Sequence, residues 1–181
     1  MSTARISSME NVELREAHPR SGETMLILSA TKNPALVVTT DLIGSWSLKS
    51  YTDTIEGAET VLPLGLNPTG LLIYTPNGFM SAQLMSLDRS RLGVADWNMK
   101  TQSDYQEESR GFIGYSGEYQ FDEVTATISH MPSVSFAPSL IGRRLKRQVK
   151  LDDDRLTLTV VTPQVGGKSV KSSLCWLKLH R

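Results

Sequence analysis

The side chains best suited to chemistry stand on strand-like stretches of this sequence, among apolar residues of the same face. His130 alternates with Ala126 and Ile128, so its ring is expected to point with them into the protein. Because imidazole titrates near neutral pH, an inward histidine can serve as an acid or a base. The alternative is a core histidine whose ring nitrogens are satisfied by neighbouring groups.

Arg147 is the second candidate, because it shares the apolar parity of its strand with Leu145, Val149 and Leu151. A guanidinium on that face needs a carboxylate, a ring face or a ligand to offset its loss of hydration. The pattern therefore predicts either a group that binds a ligand or a cation that packs over a buried ring.

A pair of tyrosines forms the third candidate. Tyr115 and Tyr119 flank Gly117 on one face of the run 112–121. The missing side chain at Gly117 would leave volume beside two phenol hydroxyls, which is typical of a pocket. Alternatively, both tyrosines are core residues whose hydroxyls bond to the backbone.

A predicted β-hairpin over Gly70–Met85 must position part of this site. Its centre, Thr75-Pro76-Asn77-Gly78, has the residue types of a tight turn between antiparallel strands. The first arm carries Leu72 and Tyr74 on one face. The second arm has two faces, and they carry Phe79, Ser81, Gln83 and Met85 on one side and Met80, Ala82 and Leu84 on the other. Because Ser81 and Gln83 alternate with apolar residues, this arm is predicted to face a cavity of mixed polarity.

Period-2 alternation predicts further strands along the rest of the chain. With the hairpin arms they number about eight, and the others are 46–53, 112–121, 125–131, 145–151, 155–162 and 170–179. Ser103-x-x-Gln106 is a capping-box pattern that predicts a short helix ended by Gly111. Evenly spaced strands favour an all-β fold, as a closed antiparallel barrel or a sandwich.

The length of 181 residues fits one domain with a real core. Residues 41–181 contain the regular strands, and residues 1–40 form an N-terminal extension. Its apolar part, Met25–Thr40, is an extra edge strand, a lid or a segment exchanged between subunits. Something must cover that segment, so a homodimer is one expectation.

Composition and motifs argue against several functions. Nineteen basic residues balance nineteen acidic ones, so nucleic acid and anionic membranes are not expected partners. The sequence shows no signal peptide or membrane span, which favours a cytoplasmic protein. No HExxH, CxxC, P-loop or GxGxxG motif occurs, and three scattered histidines with one cysteine make no convincing zinc set. We therefore expect neither a cofactor nor a metal.

A family resemblance emerges when the motifs are combined. Gly44-Ser-Trp46 is similar to the Gly-x-Trp signature of calycins. Four further segments join it, and they are Asn67-Pro68-x-Gly70-x-Leu-Ile-Tyr74-Thr-Pro-x-Gly78-x-Met80-Ser-Ala-Gln83-Leu-Met85, Tyr115-Ser-Gly117-x-Tyr119, His130 with Ser135 and Pro138, and Arg147 with Asp154-Arg-Leu156-Thr-Leu158. Over roughly 42–181 the chain resembles the lipocalin-like domain family, which implies a closed barrel around one small ligand.

The resemblance extends to fungal biosynthetic lipocalin-like cyclases and pericyclases. It implies a cofactor-independent enzyme that binds an apolar polyketide or terpenoid intermediate and promotes dehydration, cyclisation or a Diels–Alder-type cycloaddition. The implied catalytic residues are His130, Tyr115 and Arg147. The implied substrate-binding residues are Tyr119, Gln83, Met80, Met85, Tyr74, Ser81, Phe136 and Trp176. The alternative is a non-catalytic carrier or sensor of a small hydrophobic ligand.

The family also offers a structural role for a late basic residue. In calycins such a residue usually packs over the signature tryptophan at the closed end of the barrel, here Trp46. Arg147, Lys178 and Arg181 compete for this position. Arg147 is free to bind a ligand only if another of them covers Trp46.

Overall fold

The computed structural model describes residues 13–17, 25–29, 36–89, 100–163 and 168–180. The chain forms two compact units, residues 1–36 and 37–181. In the first unit, β1 (Glu13–Ala17) and β2 (Met25–Ser29) pair as a two-stranded antiparallel sheet. Residues Met25–Ser29 of the predicted apolar segment are thus a strand with a partner in its own unit, and residues 30–35 lie outside the described residues.

The second unit is almost entirely β-structure. Its elements in chain order are α1 (Thr39–Leu42), β3 (Gly44–Ile55), β4 (Thr60–Val61), β5 (Pro68–Tyr74), β6 (Phe79–Ser86), α2 (Gln102–Ser109), β7 (Phe112–Asp122), β8 (Thr127–Ser135), a 3-10 turn (Pro138–Leu140), β9 (Leu145–Asp152), β10 (Arg155–Pro163) and β11 (Ser169–Lys178). None of the helices in the described ranges is long and apolar enough to cross a membrane.

Eight antiparallel strands close into a barrel. Each of β5 to β10 pairs with the next strand in sequence, β3 pairs with β5, and β11 returns to pair with β3. The short strand β4 adds to β3 at one edge. Inward side chains of alternate positions fill the core, which includes Trp46, Leu72, Ile128, Leu156 and Trp176. The predicted all-β closed barrel is confirmed.

The predicted hairpin is present, and the predicted helix is displaced slightly. β5 and β6 pair with Tyr74 opposite Met80, and Gly78 adopts a positive φ of 85° in the turn. Helix α2 begins after Thr101 rather than at Ser103. Thr101 and Asp104 form the capping box, because a threonine with an acidic residue three positions later satisfies the first-turn amides equally well.

A β-bulge in β3 overturns part of the predicted strand pattern. Leu48 lies opposite Trp176 and Ser50 lies opposite Cys175, so Lys49 is an extra residue without a partner. Unbroken alternation over the predicted strand 46–53 would place Ser50 and Thr52 on the face of Trp46, and that pattern is wrong beyond Leu48. The extra residue reverses the alternation, and Tyr51 points inward instead.

Strand β8 contains a second irregularity, beside Gly117. The predicted strand 125–131 ends too early, since β8 continues to Ser135 and a register shift opposite Ser116 and Gly117 absorbs one extra residue. A Cβ at Gly117 would overlap the carbonyl of Met131. The glycine therefore permits close approach of two backbones and opens no pocket volume.

A basic residue covers Trp46 at one end of the barrel, and it is Lys178. The Trp46 indole is fully buried, and its Nε1 donates to the Leu42 carbonyl at 2.9 Å. Lys178 Nζ lies 5.0 Å from the centroid of the Trp46 ring and donates to the Asp41 carbonyl at 2.9 Å. Arg147 therefore does not have this role, and Arg181 lies outside the described residues.

Replacing Lys178 by Met is expected to lower the free energy of unfolding by about 1–3 kcal/mol, because it removes both the cation–π contact and the hydrogen bond to Asp41. The exposed Lys171 on the same strand is the matched control, and Lys171→Met should change stability by less than about 0.5 kcal/mol. Urea unfolding of both variants measures the difference. Equal losses would show that Lys178 is an ordinary surface lysine.

Candidate functional site

A small cavity of about 100 Å³ lies inside the barrel. Its wall is mainly apolar, with polar side chains at intervals, and the lining residues are Tyr51, Leu72, Ala82, Leu84, Ile113, Tyr115, His130, Arg147, Leu158, Val160, Ser172, Leu174 and Trp176. A larger groove on the outer face of β7, β8 and β9 is lined by polar residues such as Gln120 and Arg144. That groove contains none of the predicted site residues, so the inner cavity is the candidate site.

His130 is at the centre of a buried hydrogen-bonded chain. Its side chain is 1% exposed. Nε2 lies 2.7 Å from the Tyr74 hydroxyl, and Nδ1 lies 3.0 Å from the Tyr115 hydroxyl. Burial, with a further contribution from the Arg147 charge, lowers the pKa of His130 from 6.5 to about 3. The ring is therefore neutral at physiological pH, with one nitrogen that donates and one that accepts.

Burial of Tyr74 decides which nitrogen of His130 carries the proton. Tyr74 is 1% exposed, and among the described residues its hydroxyl bonds only to His130. If Nε2 donated, the hydroxyl proton of Tyr74 would have no acceptor, at a cost of about 1–3 kcal/mol. Tyr74 therefore donates to Nε2, and Nδ1 donates to the Tyr115 oxygen. This arrangement leaves the Tyr115 O–H free to donate to a guest in the cavity.

Arg147 lies beside the cavity end of this chain. Its Nη1 donates to the Lys146 carbonyl at 2.9 Å, and the ion pairs among the described residues do not include it. Burial raises the pKa of Tyr115, while the charge of Arg147 and a hydrogen bond from it oppose that increase. Tyr115 thus remains protonated at neutral pH. The cavity presents a phenol O–H and a guanidinium as neighbouring donors.

Three other predicted residues belong to the barrel interior, in different positions. Trp176 lines the cavity. Tyr119 donates its hydroxyl proton to the Thr75 carbonyl at 3.0 Å, and its ring packs 4.8 Å from that of Tyr74, which is the core alternative expected from the sequence. Met80 is buried in the core and is not part of the cavity lining.

The remaining predicted substrate-binding residues do not line this cavity. Gln83 and Phe136 border a separate pocket of about 180 Å³, which Tyr115 also lines. Ser81 accepts hydrogen bonds from Ser116 at 2.9 Å and from Gln83 at 3.4 Å. Met85 contacts Arg89, and Phe136 is half exposed. Alternation on β6 turns Met80, Ala82 and Leu84 inward, so the face of mixed polarity is the outer one. Polar side chains beside apolar ones are ordinary on a surface facing water.

The sequence did not indicate two polar residues of the lining, Tyr51 and Ser172. Tyr51 reaches the cavity only because of the bulge at Lys49. Burial and the nearby Asp53 charge raise the pKa of Tyr51, while a hydrogen bond with Ser172 opposes the change. Among the described residues, no three His, Cys, Asp or Glu side chains are grouped closely enough to hold a metal ion.

The barrel and its inner cavity define a protein that encloses one small, largely apolar molecule. The model of the lipocalin-like domain matches residues 43–179. The chain belongs to the lipocalin-like domain family. Comparison with curated proteins and comparison with solved structures both gave no significant match.

The depressed pKa of His130 predicts a loss of stability in acid. The folded protein resists protonation of His130 down to about pH 3, whereas the unfolded chain takes up that proton near the ordinary histidine pKa of 6.5. The stability that depends on a neutral His130 is therefore fully present above pH 6.5. It falls by up to about 1.4 kcal/mol for each pH unit between 6.5 and 3.

Two measurements check this behaviour. Urea unfolding at pH 7 and 5.5 should give a larger difference for the wild type than for His130→Gln. In the wild type, ¹⁵N chemical shifts of the His130 ring should show a neutral imidazole protonated at Nδ1 throughout this range. A ring that titrates near pH 6.5, or that carries its proton on Nε2, would contradict the geometry.

Proposed function

We propose that this barrel is a cofactor-independent biosynthetic enzyme. Its substrate would be an apolar polyketide or terpenoid intermediate with a carbonyl group, and its reaction a cyclisation through dehydration or a Diels–Alder-type cycloaddition. The observation that carries the proposal is the Tyr74–His130–Tyr115 chain beside Arg147, which ends in a mainly apolar cavity. A simple container for a hydrophobic guest has no need of this buried polar group.

Catalysis would combine restriction of the substrate with polarisation of its carbonyl. The apolar walls would hold a flexible chain near its reactive conformation. This restriction can lower the activation barrier by on the order of 7 kcal/mol or more. Tyr115 and Arg147 would donate to the carbonyl oxygen and stabilise the charge that develops there. In a cycloaddition these donors would lower the barrier without any proton transfer, while two π bonds are converted into two σ bonds.

In a dehydration Tyr115 would act as acid and then as base. Its proton would pass to the departing hydroxyl, the C–O bond would break, and water would leave. The resulting phenolate would be stabilised by the Nδ1–H of His130 and by Arg147. It would then recover a proton from the adjacent carbon, as the new C=C bond forms. His130 would hold Tyr115 in place throughout and would not itself change charge.

The size of the cavity limits which part of the substrate enters it. A volume of about 100 Å³ is below the roughly 300–1,000 Å³ of pockets for drug-sized ligands. We therefore place only the reacting ring or carbonyl segment beside Tyr115 and Arg147. The remainder of a longer intermediate would extend toward the end of the barrel opposite Trp46.

The second candidate function is a carrier or sensor of a small hydrophobic molecule. Both ring nitrogens of His130 are occupied by tyrosines, so the imidazole makes no direct contact of its own with a guest. A binding protein could use the same donors to recognise a carbonyl group without changing it. The two functions differ in whether the guest leaves the cavity chemically intact.

Deletion of the gene in its native host is expected to cause an uncyclised intermediate to accumulate, detected by mass spectrometry of culture extracts. Purified protein should convert the isolated intermediate without any added cofactor. Arg147→Met and Tyr115→Phe should each lower kcat/KM at least about ten-fold, the loss expected for a hydrogen bond to a charged or developing-charge group. The exposed neighbour Lys146 gives the matched control Lys146→Met, which should retain wild-type activity.

Recovery of the intermediate unchanged from a complex with the wild-type protein would identify a carrier and reject the enzyme. Conversion at the wild-type rate by both Arg147→Met and Tyr115→Phe would reject the proposed residues. The genes beside this one provide an independent check, since a polyketide or terpene synthase is expected among them.

A further inference from the structure

The indole of Trp176 has a buried donor without a partner. Trp176 is 1% exposed and lines the cavity, and its Nε1 has no hydrogen-bond partner among the described residues. The other described tryptophan differs, because Nε1 of Trp46 donates to the Leu42 carbonyl at 2.9 Å. Buried indole N–H groups usually have an acceptor, and the cavity is the free space that the Trp176 side chain borders.

The polar groups around the cavity are predominantly donors. Tyr115 has a free O–H because its oxygen accepts from His130 Nδ1. Arg147 can only donate. The accepting nitrogen of His130 is taken by Tyr74, and the hydroxyls of Tyr51 and Ser172 can either donate or accept. A guest that presented an N–H or an ammonium group to Trp176, Tyr115 and Arg147 would leave these donors unsatisfied.

We infer that Trp176 is a specificity-determining residue that donates its Nε1–H to an oxygen of the guest, and that this oxygen belongs to a ketone or conjugated enone. Carbonyl oxygen accepts two hydrogen bonds through its two lone pairs. Tyr115 or Arg147 therefore supplies one donor and Trp176 the other. The inference rests on the proposed cavity but holds equally for an enzyme and for a carrier.

The dimensions of the cavity indicate the size of the recognised fragment. An engineered apolar cavity of about 150 Å³ in another protein binds benzene, so a cavity of about 100 Å³ is comparable to a single six-membered ring. The recognised fragment is thus a compact cyclic or cyclising ketone. Cyclohexanone is a suitable probe, and methylcyclohexane is a control of similar shape that lacks the acceptor oxygen.

The first test follows the indole N–H signals of uniformly ¹⁵N-labelled wild-type protein during titration with each probe. Cyclohexanone should shift the Trp176 signal downfield, as expected when this N–H gains an acceptor. The Trp46 signal should stay in place, because its N–H already donates to Leu42. The Trp176 signal is assigned by its loss in Trp176→Phe. Absence of any shift at millimolar ketone, or an equal shift with methylcyclohexane, would overturn the inference.

The second test measures affinities of the same probes for two proteins by calorimetry. Trp176→Phe retains an aromatic ring but has no N–H, so cyclohexanone should bind about ten-fold more weakly, the loss expected for one hydrogen bond. The affinity for methylcyclohexane should change less than two-fold. An equal loss for both probes would mean that Trp176 only shapes the wall. The NMR titration of the wild type decides the question if Trp176→Phe does not fold.

Failure of this inference and failure of the proposed function give different results. If ketones bind through Trp176 but the intermediate is recovered unchanged, the recognition stands and the enzyme is rejected. If the intermediate is converted while cyclohexanone and methylcyclohexane bind alike, the enzyme stands and Trp176 has no role in carbonyl recognition.

Discussion

The site depends on keeping one imidazole neutral in the interior of the barrel. An ionised His130 at this depth would lose most of its hydration, and Arg147 adds a like charge nearby. Two tyrosines offset the burial of the neutral ring by bonding both nitrogens. Since Tyr74 has no other acceptor among the described residues, the direction of every bond in the chain follows from its position.

This constraint explains how residues from four strands act together. β5 supplies Tyr74, β7 supplies Tyr115, β8 supplies His130 and β9 supplies Arg147. Barrel closure brings these strands around one axis, and alternation turns the four side chains inward. Lys178 occupies the position over Trp46, so Arg147 is available beside the cavity. The basic residue at the closed end thus determines which other cation can contact a guest.

The sequence predicted the barrel and the central residues of the site more successfully than the walls. Alternation and turn chemistry are local properties, so the hairpin and the inward parity of His130 and Arg147 could be read directly. The inward face of β6 could not be identified from the sequence, because both faces combine apolar residues with small or polar ones. Gln83 and Ser81 were assigned to the cavity on polarity, whereas the smaller apolar face, with Ala82 and Leu84, lines it.

Bulges were the other source of error, and they depend on pairing between distant parts of the chain. Nothing around Lys49 identifies it as an extra residue until Leu48 is placed opposite Trp176. Tyr51 was missed for that reason. Gly117 was interpreted as free space because the sequence does not reveal that the Met131 carbonyl occupies it. The hydrogen-bond direction through His130 likewise required the burial of Tyr74 to be known.

Closure of the barrel by β11 against β3 joins segments separated by more than a hundred positions, from Trp46 with Lys178 to Ile55 with Val170. Such non-local pairing slows folding, since the loop entropy must be lost before the contacts form. During synthesis the first seven strands of the barrel would therefore have an unpaired edge on β3 until Ser169–Lys178 has left the ribosome. The short strand β4 does not cover that edge, because Asp53 and Thr54 pair with β4 on one side and with Ser172 and Lys171 of β11 on the other. The edge that receives β11 thus stays open to association with other chains until β11 is in place.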